Sequence, residues 1–185
     1  MAQTTSESDQ SSIIHQLPPE ISNKIAAGEV IQRPASVVKE LLDNAIDSGA
    51  DEIAIVIQNA GRTLIQVSDN GCGMGKPDLR LCFTRHATSK IQDVDDLFKI
   101  RTLGFRGEAM ASIASVSQIT VTTKRPEDDN GWLYEIWGGE EQKLQPAAFD
   151  NGTSVAVRNL FYNVPARRQF LKTDATEFRH ILKTV

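Results

Sequence analysis

The chain has 185 residues, 40% of them hydrophobic, and a formal net charge of −4. This length suits one domain, or one domain and the start of another, and the apolar content excludes wholesale disorder. The longest apolar run, residues 53–57, is far below the ~20 residues that cross a bilayer, so we expect no membrane partner. Two cysteines build no disulfide framework, and without a secretory signal this favours a cytoplasmic location.

The first third of the chain predicts a tail and two helices. Residues 1–14 are polar and predict a disordered tail, while residues 15–185 predict one domain. Helices are expected over residues 20–27 and 35–48, the second beginning near Pro34, which suits a first helical turn. Its predicted apolar stripe has helical spacing and contains Val38, Leu41, Leu42, Ala45 and Ile46.

The rest of the chain predicts a sheet with helices. Strands are expected over 52–57 and 63–69 as a hairpin, then over 118–124, 132–137 and 153–160; helices are expected over 76–84, 108–114 and 174–185. Residues 85–107 lack periodicity, and so long a loop is usually functional. Because helices and strands do not alternate strictly, we predict an α+β two-layer sandwich with helices on one face of a mixed, mostly antiparallel sheet.

Common nucleotide and metal motifs fail in this sequence. The glycine-rich run at residues 70–77 has Lys76 where a dinucleotide fingerprint needs glycine, and Asn70 and Pro77 break a Walker A loop. The cysteines and histidines are scattered, without the ligand spacing of a zinc site.

Glu40 and Asn44 share one face of the second predicted helix because they are four residues apart. One interpretation is a solvated polar face. The other is a carboxylate that deprotonates water, beside an amide oxygen that can ligate Mg²⁺, a cation that prefers hard oxygen ligands.

Asp69 ends a predicted strand, and Gly71, Gly73 and Met74 follow it. The carboxylate can accept a hydrogen bond from an exocyclic amine, and the glycines let the backbone approach a flat ligand closely. A plain glycine-rich turn after a strand is the alternative.

Two later segments are less informative by themselves. Residues 104–108 open a helix, where exposed N–H groups can bind phosphate or simply form a loop–helix junction. Thr153 begins a late strand, and its hydroxyl has no specific meaning alone. The basic stretch 158–185 is compatible with a solvated helix face or with a DNA or interdomain surface.

Taken together and in this order, the segments resemble the GHKL ATPases, whose ATP-binding domain has the Bergerat fold. The runs KELLDNAIDSGA, DNGCGM, RHATSKI, LGFRGEAMASI and LFYNVPARR are similar to the MutL branch of DNA mismatch repair proteins, over about residues 15–179. RHATSKI and FYNVPARR separate this branch from DNA gyrase B and the heat-shock chaperone.

The resemblance implies a role for each matched residue. Glu40 would be the general base, Asn44 would hold Mg²⁺, Asp69 would bind the adenine amine with Gly73 admitting the base, and Thr153 would assist through water. Residues 85–103 would form a lid over ATP. The remaining implied nucleotide contacts are Gly71, Met74, Thr88, Ser89, Lys90, Gly104, Phe105, Arg106, Gly107 and Glu108.

The resemblance also implies partners and a place in repair. Mg-ATP would order the lid and the N-terminal segment and drive homodimerisation, which would signal between a MutS-type mismatch recognition protein and a downstream endonuclease or helicase, with DNA contacted through the full-length protein. The location would be the bacterial cytoplasm. In the family a second domain supplies a lysine to the γ-phosphate; we expect this chain to lack it and to hydrolyse ATP weakly.

Three alternatives remain at this point. The chain could belong to another GHKL enzyme such as a type II topoisomerase ATPase subunit, or it could be a nucleotide-sensing interaction module with little turnover. It could also be a generic α+β domain in which the run of motifs is accidental.

Overall fold

The computed structural model describes residues 17–85, 87 and 107–185. In this part of the chain the helices are α1 (Pro19–Val30), α2 (Pro34–Asp47), α3 (Lys76–Leu81), α4 (Ala109–Ser115), α5 (Pro165–Phe170) and α6 (Asp174–Leu182). The strands are β1 (Ile53–Gln58), β2 (Leu64–Asp69), β3 (Gln118–Lys124), β4 (Gly131–Trp137), β5 (Glu140–Ala147) and β6 (Gly152–Arg158). The predicted tail, residues 1–14, lies outside the described residues.

The six strands form one sheet in the order β1-β2-β6-β3-β4-β5. Every neighbouring pair is antiparallel, so the sheet is not mixed in the described part of the chain. The last strand, β6, lies between β2 and β3, which are far earlier in the sequence. The predicted α+β class, with helices against one face of the sheet, is confirmed.

Rows of directly paired residues cross the sheet and build its core, because residues opposite each other on neighbouring strands share a face. One row crosses all six strands and consists of Ile55, Val67, Val155, Val121, Tyr134 and Leu144. The next row begins at Ile57 and continues through Ile65, Val157, Ile119 and Ile136. Helix α2 packs on β2, α4 packs on β4, and α1 packs on α4, so these apolar rows form the interior.

Helix α2 follows most of its predicted stripe. Pro34 occupies the first turn, where its missing N–H costs no hydrogen bond. Leu41 and Ala45 are buried, but Ile46, which the predicted stripe includes, is 52% exposed, so the buried face is narrower than the stripe. Ile46 lies at the solvent-facing edge of the stripe.

Two elements were not predicted. Strand β5 carries four polar residues in succession and Pro146, a composition that argues against a strand. It is tolerated because β5 is the edge of the sheet, where a proline needs to supply no N–H. Helix α5 is a short helix of six residues, of which none is buried. No helix in the described part combines the length and the apolar character needed to cross a bilayer.

We expect two residues of the α2 stripe, Leu41 and Ile46, to differ sharply in their contribution to stability. Leu41→Ala removes a side chain that is 3% exposed and should lower the free energy of unfolding by about 2–5 kcal/mol. Ile46→Ala, in the same helix, should change it by about 0.5 kcal/mol or less. Urea unfolding followed by circular dichroism measures both, and equal losses would contradict the packing described for α2.

Candidate functional site

One end of the core face of the sheet is polar. The row that follows the apolar rows pairs Asp69 with Thr153, and Thr153 with Thr123, across β2, β6 and β3. Ile53 and Trp132 flank these three residues in the same row. We call Asp69, Thr153 and Thr123 the polar row.

Hydrogen bonds join the polar row to the glycine-rich loop after β2. The Thr123 and Thr153 hydroxyl oxygens are 2.9 Å apart, and the Thr123 hydroxyl is 3.0 Å from the carbonyl oxygen of Gly152. The backbone N–H of Met74 donates to the Thr123 hydroxyl at 2.9 Å. Thr123 is fully buried, whereas Thr153 keeps 8% of its surface exposed.

Asp69 is a half-buried carboxylate with several protein donors. The N–H of Gly71 donates to Oδ1 at 2.9 Å, and the Ser48 hydroxyl lies 3.3 Å from the same oxygen. Burial raises the pKa of Asp69 above its usual range, and the hydrogen bonds from Gly71, Ser48 and the Thr153 backbone oppose that increase. The carboxylate therefore costs stability when it is ionised, and such a group is typical of a ligand site.

Gly71 and Gly73 are required because neighbouring parts of the protein leave no room for a side chain at either position. A Cβ at Gly71 would lie 1.9 Å from the Ser48 hydroxyl, and one at Gly73 would lie 2.1 Å from the carbonyl oxygen of Lys124. Gly73 also has φ +64°, a backbone conformation that side chains disfavour. These glycines hold the loop against α2 and the end of β3, a structural requirement that exists without any ligand.

One face of helix α2 extends away from the polar row and carries Ser48, Asn44 and Glu40. Ser48, which caps the helix, contacts Asp69, and Asn44 and Glu40 precede it by four and eight residues. At 1.5 Å per residue they lie about 6 Å and 12 Å farther along the helix axis, on the same side. Both side chains are half-buried.

Asp43, between these positions, is buried and pairs with Lys39. This pairing within the helix satisfies the Asp43 carboxylate without a ligand. It also raises the pKa of Lys39, chiefly through the hydrogen bond to Asp43.

Several predicted nucleotide contacts lie outside the described residues. They are Thr88, Ser89, Lys90, Gly104, Phe105 and Arg106, together with most of the predicted lid. Of the predicted phosphate segment, Gly107 has φ +60° and Glu108 occupies the N-cap position of α4 without a side-chain capping bond. The polar row, the glycine-rich loop and the α2 face are therefore the part of the predicted site that the described residues place.

A metal ion in this region would take most of its oxygen ligands from a bound small molecule and from water, and few from the protein. In the described ranges no group of three or more His, Cys, Asp or Glu side chains could hold a metal ion. Asn44 offers one hard amide oxygen, which fits Mg²⁺ because this ion normally keeps waters and substrate phosphates in its shell.

Thr123 and Ser48 were not predicted to belong to the site, although the sequence pattern around each residue could have indicated it. Alternation along β3 puts Ile119, Val121 and Thr123 on one face, so a threonine ends an otherwise apolar series. Ser48 continues the four-residue spacing of Glu40 and Asn44. Neither pattern identifies a partner, because the partners lie on strands and loops distant in sequence.

Comparison with known proteins agrees with this geometry. A family model described as histidine kinase-, DNA gyrase B-, and HSP90-like ATPase matches residues 32–143, more than half of the chain. The chain therefore belongs to the GHKL ATPase family.

Within that family the similarity is to MutL. The chain is 62% identical over 174 residues to the DNA mismatch repair protein MutL of Chloroherpeton thalassium, covering 94% of the chain and 27% of that protein. It is 55% identical to MutL of Flavobacterium johnsoniae over 172 residues, covering 93% of the chain and 27% of that protein. The chain thus spans about a quarter of the length of these relatives.

A solved structure extends the match to the fold. The Aquifex aeolicus MutL ATPase domain complexed with ADP superimposes with a TM-score of 0.65 at 31% identity, covering 83% of this chain and 53% of that one. The resemblance to the MutL branch of the GHKL ATPases, predicted from the sequence motifs, is confirmed.

We expect Asp69→Asn to stabilise the chain at neutral pH. The native pKa of Asp69 is raised, so its ionised form costs stability above that pKa, and this cost fades as pH falls through it. The amide can still accept from Gly71 but carries no charge to desolvate. Thermal melts at pH 7 and near pH 4 measure the effect: the variant's gain in melting temperature should be larger at pH 7.

The exposed Asp150→Asn variant is the control and should show no such pH-dependent gain. A lower melting temperature for Asp69→Asn at pH 7 would show that its hydrogen bonds outweigh the cost of burial.

Proposed function

We propose that this chain binds ATP with the adenine at the polar row and contributes the general base for ATP hydrolysis, within a MutL-type mismatch repair protein. The observation that carries the proposal is the contact between Ser48 and Asp69. It joins the half-buried Asp69 carboxylate at the sheet to the helix face that holds Asn44 and Glu40.

The chemistry of Asp69 suits an adenine amine. A carboxylate has about four lone-pair sites, and the backbone donors from Gly71 and Thr153 leave capacity for at least one more, even where the Ser48 hydroxyl, which also donates to the Ala45 carbonyl oxygen at 2.7 Å, shares its proton with Asp69. A donor from a ligand in this half-buried position would be worth more than one in water. The ADP complex of the Aquifex aeolicus MutL ATPase domain supports nucleotide as the ligand.

The spacing along α2 suits the rest of the nucleotide. With the base at Asp69, a triphosphate that runs along the helix would pass Asn44 and then reach Glu40. Asn44 would hold Mg²⁺ through its amide oxygen, and Mg²⁺ when bound would neutralise phosphate charge.

Glu40 would accept a proton from the water that attacks the terminal phosphate. Catalysis of phosphoryl transfer depends mostly on positioning and on electrostatic stabilisation. The position of the Glu40 carboxylate on a helix that is packed against the sheet supports the first requirement. Residues 104–108 would bind the phosphates through backbone N–H groups, and Thr88, Ser89 and Lys90 would complete the lid.

The wider role follows from the MutL relatives. We infer that nucleotide binding orders the lid and the N-terminal segment and drives association of two copies. This would signal between mismatch recognition by a MutS-type protein and downstream repair factors on DNA. A bound ligand can drive such a change only as far as it binds the closed state more tightly than the open one, so contacts from the lid would be the coupling element.

We expect Glu40→Ala to abolish turnover and to keep nucleotide binding. Loss of a general base costs about 10²–10⁴-fold in rate. Phosphate release by the complete protein measures turnover, and calorimetry with a non-hydrolysable ATP analogue measures affinity, which should stay within about threefold. Glu52→Ala, at an exposed position before β1, is the control and should keep turnover. Unchanged turnover in Glu40→Ala would remove Glu40 from its role.

We expect Asn44→Ala to weaken only the Mg²⁺-dependent part of binding. In calorimetric titrations of the ATP analogue, affinity with Mg²⁺ should fall about tenfold, the size of one charge-assisted interaction, and affinity in EDTA should change little. Gln58→Ala, an exposed amide on β1, should match the wild type in both buffers. Equal wild-type affinity with and without Mg²⁺ would contradict the assignment.

A further inference from the structure

We propose that Thr123 is a positioning residue that makes the Thr153 hydroxyl a hydrogen-bond acceptor, so that the site selects a purine with a 6-amino group over one with a 6-oxo group. This inference rests on the proposed function, because it assumes that the purine lies at the polar row. Thr123 is fully buried and so acts on the ligand through Thr153.

The direction of each hydrogen bond follows from counting protons at Thr123. A hydroxyl has one proton to donate and two lone pairs that accept. The Met74 N–H can only donate to it, and the Gly152 carbonyl oxygen can only accept from it. All three contacts can therefore be hydrogen bonds at once only if Thr153 donates its own proton to Thr123, at 2.9 Å.

Thr153 consequently has only lone pairs left for a ligand. Its neighbour in the row, Asp69, is an acceptor as well when ionised. Two adjacent acceptors match the two N–H bonds of an exocyclic amine directly, and a bridging water that donates one proton to each acceptor likewise has only lone pairs left for the ligand. They repel the lone pairs of a carbonyl oxygen in the same place.

Both hydroxyls are held where rotation is costly. A buried hydroxyl that loses its partner is left desolvated without compensation, so Thr123 and Thr153 should keep this arrangement when a ligand arrives. The Met74 contact ties the same network to the glycine-rich loop, so the loop and the acceptor orientation depend on one side chain.

The test compares ADP with IDP, which differ at the 6-position and in protonation of the adjacent ring nitrogen. Neither is hydrolysed, so calorimetry gives both affinities for the wild type, for Thr123→Val and for Thr123→Ser. Valine keeps the shape of Thr123 and removes its hydroxyl, whereas serine keeps the hydroxyl and removes the methyl group.

In Thr123→Val the Thr153 proton is released and can turn to a 6-oxo group. We expect the ratio of ADP to IDP affinity to fall about threefold to tenfold, the size of one hydrogen bond. Thr123→Ser should keep the wild-type ratio within about twofold. General damage to the fold would lower both affinities together and leave the ratio unchanged.

The outcomes separate the two proposals. A folded wild type that ignores ADP, or binds ADP and IDP equally, would overturn the adenine site itself. A wild type that prefers ADP, with the same preference in Thr123→Val, would overturn the role of Thr123 alone.

Should Thr123→Val not fold, the wild type decides the question by NMR of buried hydroxyl protons. A slowly exchanging Thr123 hydroxyl proton with a through-hydrogen-bond coupling to the Gly152 carbonyl carbon supports the proposed direction. A Thr123 proton without that coupling overturns it.

Discussion

The insertion of β6 between β2 and β3 is the constraint on which the site depends. These strands are far apart in the sequence, and their antiparallel pairing sets Asp69, Thr153 and Thr123 side by side. A shift of one residue in either register would turn the paired side chains to the opposite face of the sheet. The apolar rows oppose such a shift, because it would also expose Val155 and Val157.

The position of the polar row is therefore fixed by the apolar core beside it. Val67, Val155 and Val121 occupy the adjacent row on the same face, and their burial holds the three strands in register. A polar group at the end of such a series is pre-organised, since the apolar rows hold the strands that carry it. The raised pKa of Asp69 shows the energetic consequence, which a bound donor would offset.

Helix α2 connects this sheet chemistry to the phosphate chemistry of the proposal. Its buried side packs on β2, and its last turn touches Asp69 through Ser48. The face that carries Glu40 and Asn44 is thereby aligned with the polar row by the same packing that buries Leu41. Stability and the proposed function therefore depend on different faces of the same helix.

Much of this could be predicted from the sequence where the signal is local. The hairpin of β1 and β2, strand β3 and the helical spacing of Glu40 and Asn44 follow from periodicity over a few residues. The place of β6 could not be predicted, because pairing between distant strands has no local signature. For the same reason Thr153 carried little information alone, and Thr123 was missed until its partners lay beside it.

The errors have physical reasons as well. Helical spacing includes Ile46 in the stripe of α2 but cannot show how far around the helix the sheet extends. Strand β5 could not be predicted because its composition is polar. Its position at the edge of the sheet permits residues that a central strand excludes.

The most direct test of the account is an NMR titration of the chain with a non-hydrolysable ATP analogue, following backbone amides. The account predicts saturable shifts at Asp69, Gly71, Thr123 and Thr153 and along the Glu40–Asn44 face of α2, with little change at the far end of the sheet near Ile57 and Ile136. Tripolyphosphate, which lacks the base, should leave the polar row unshifted. A folded chain that shows no shifts at the polar row with the ATP analogue would contradict the account.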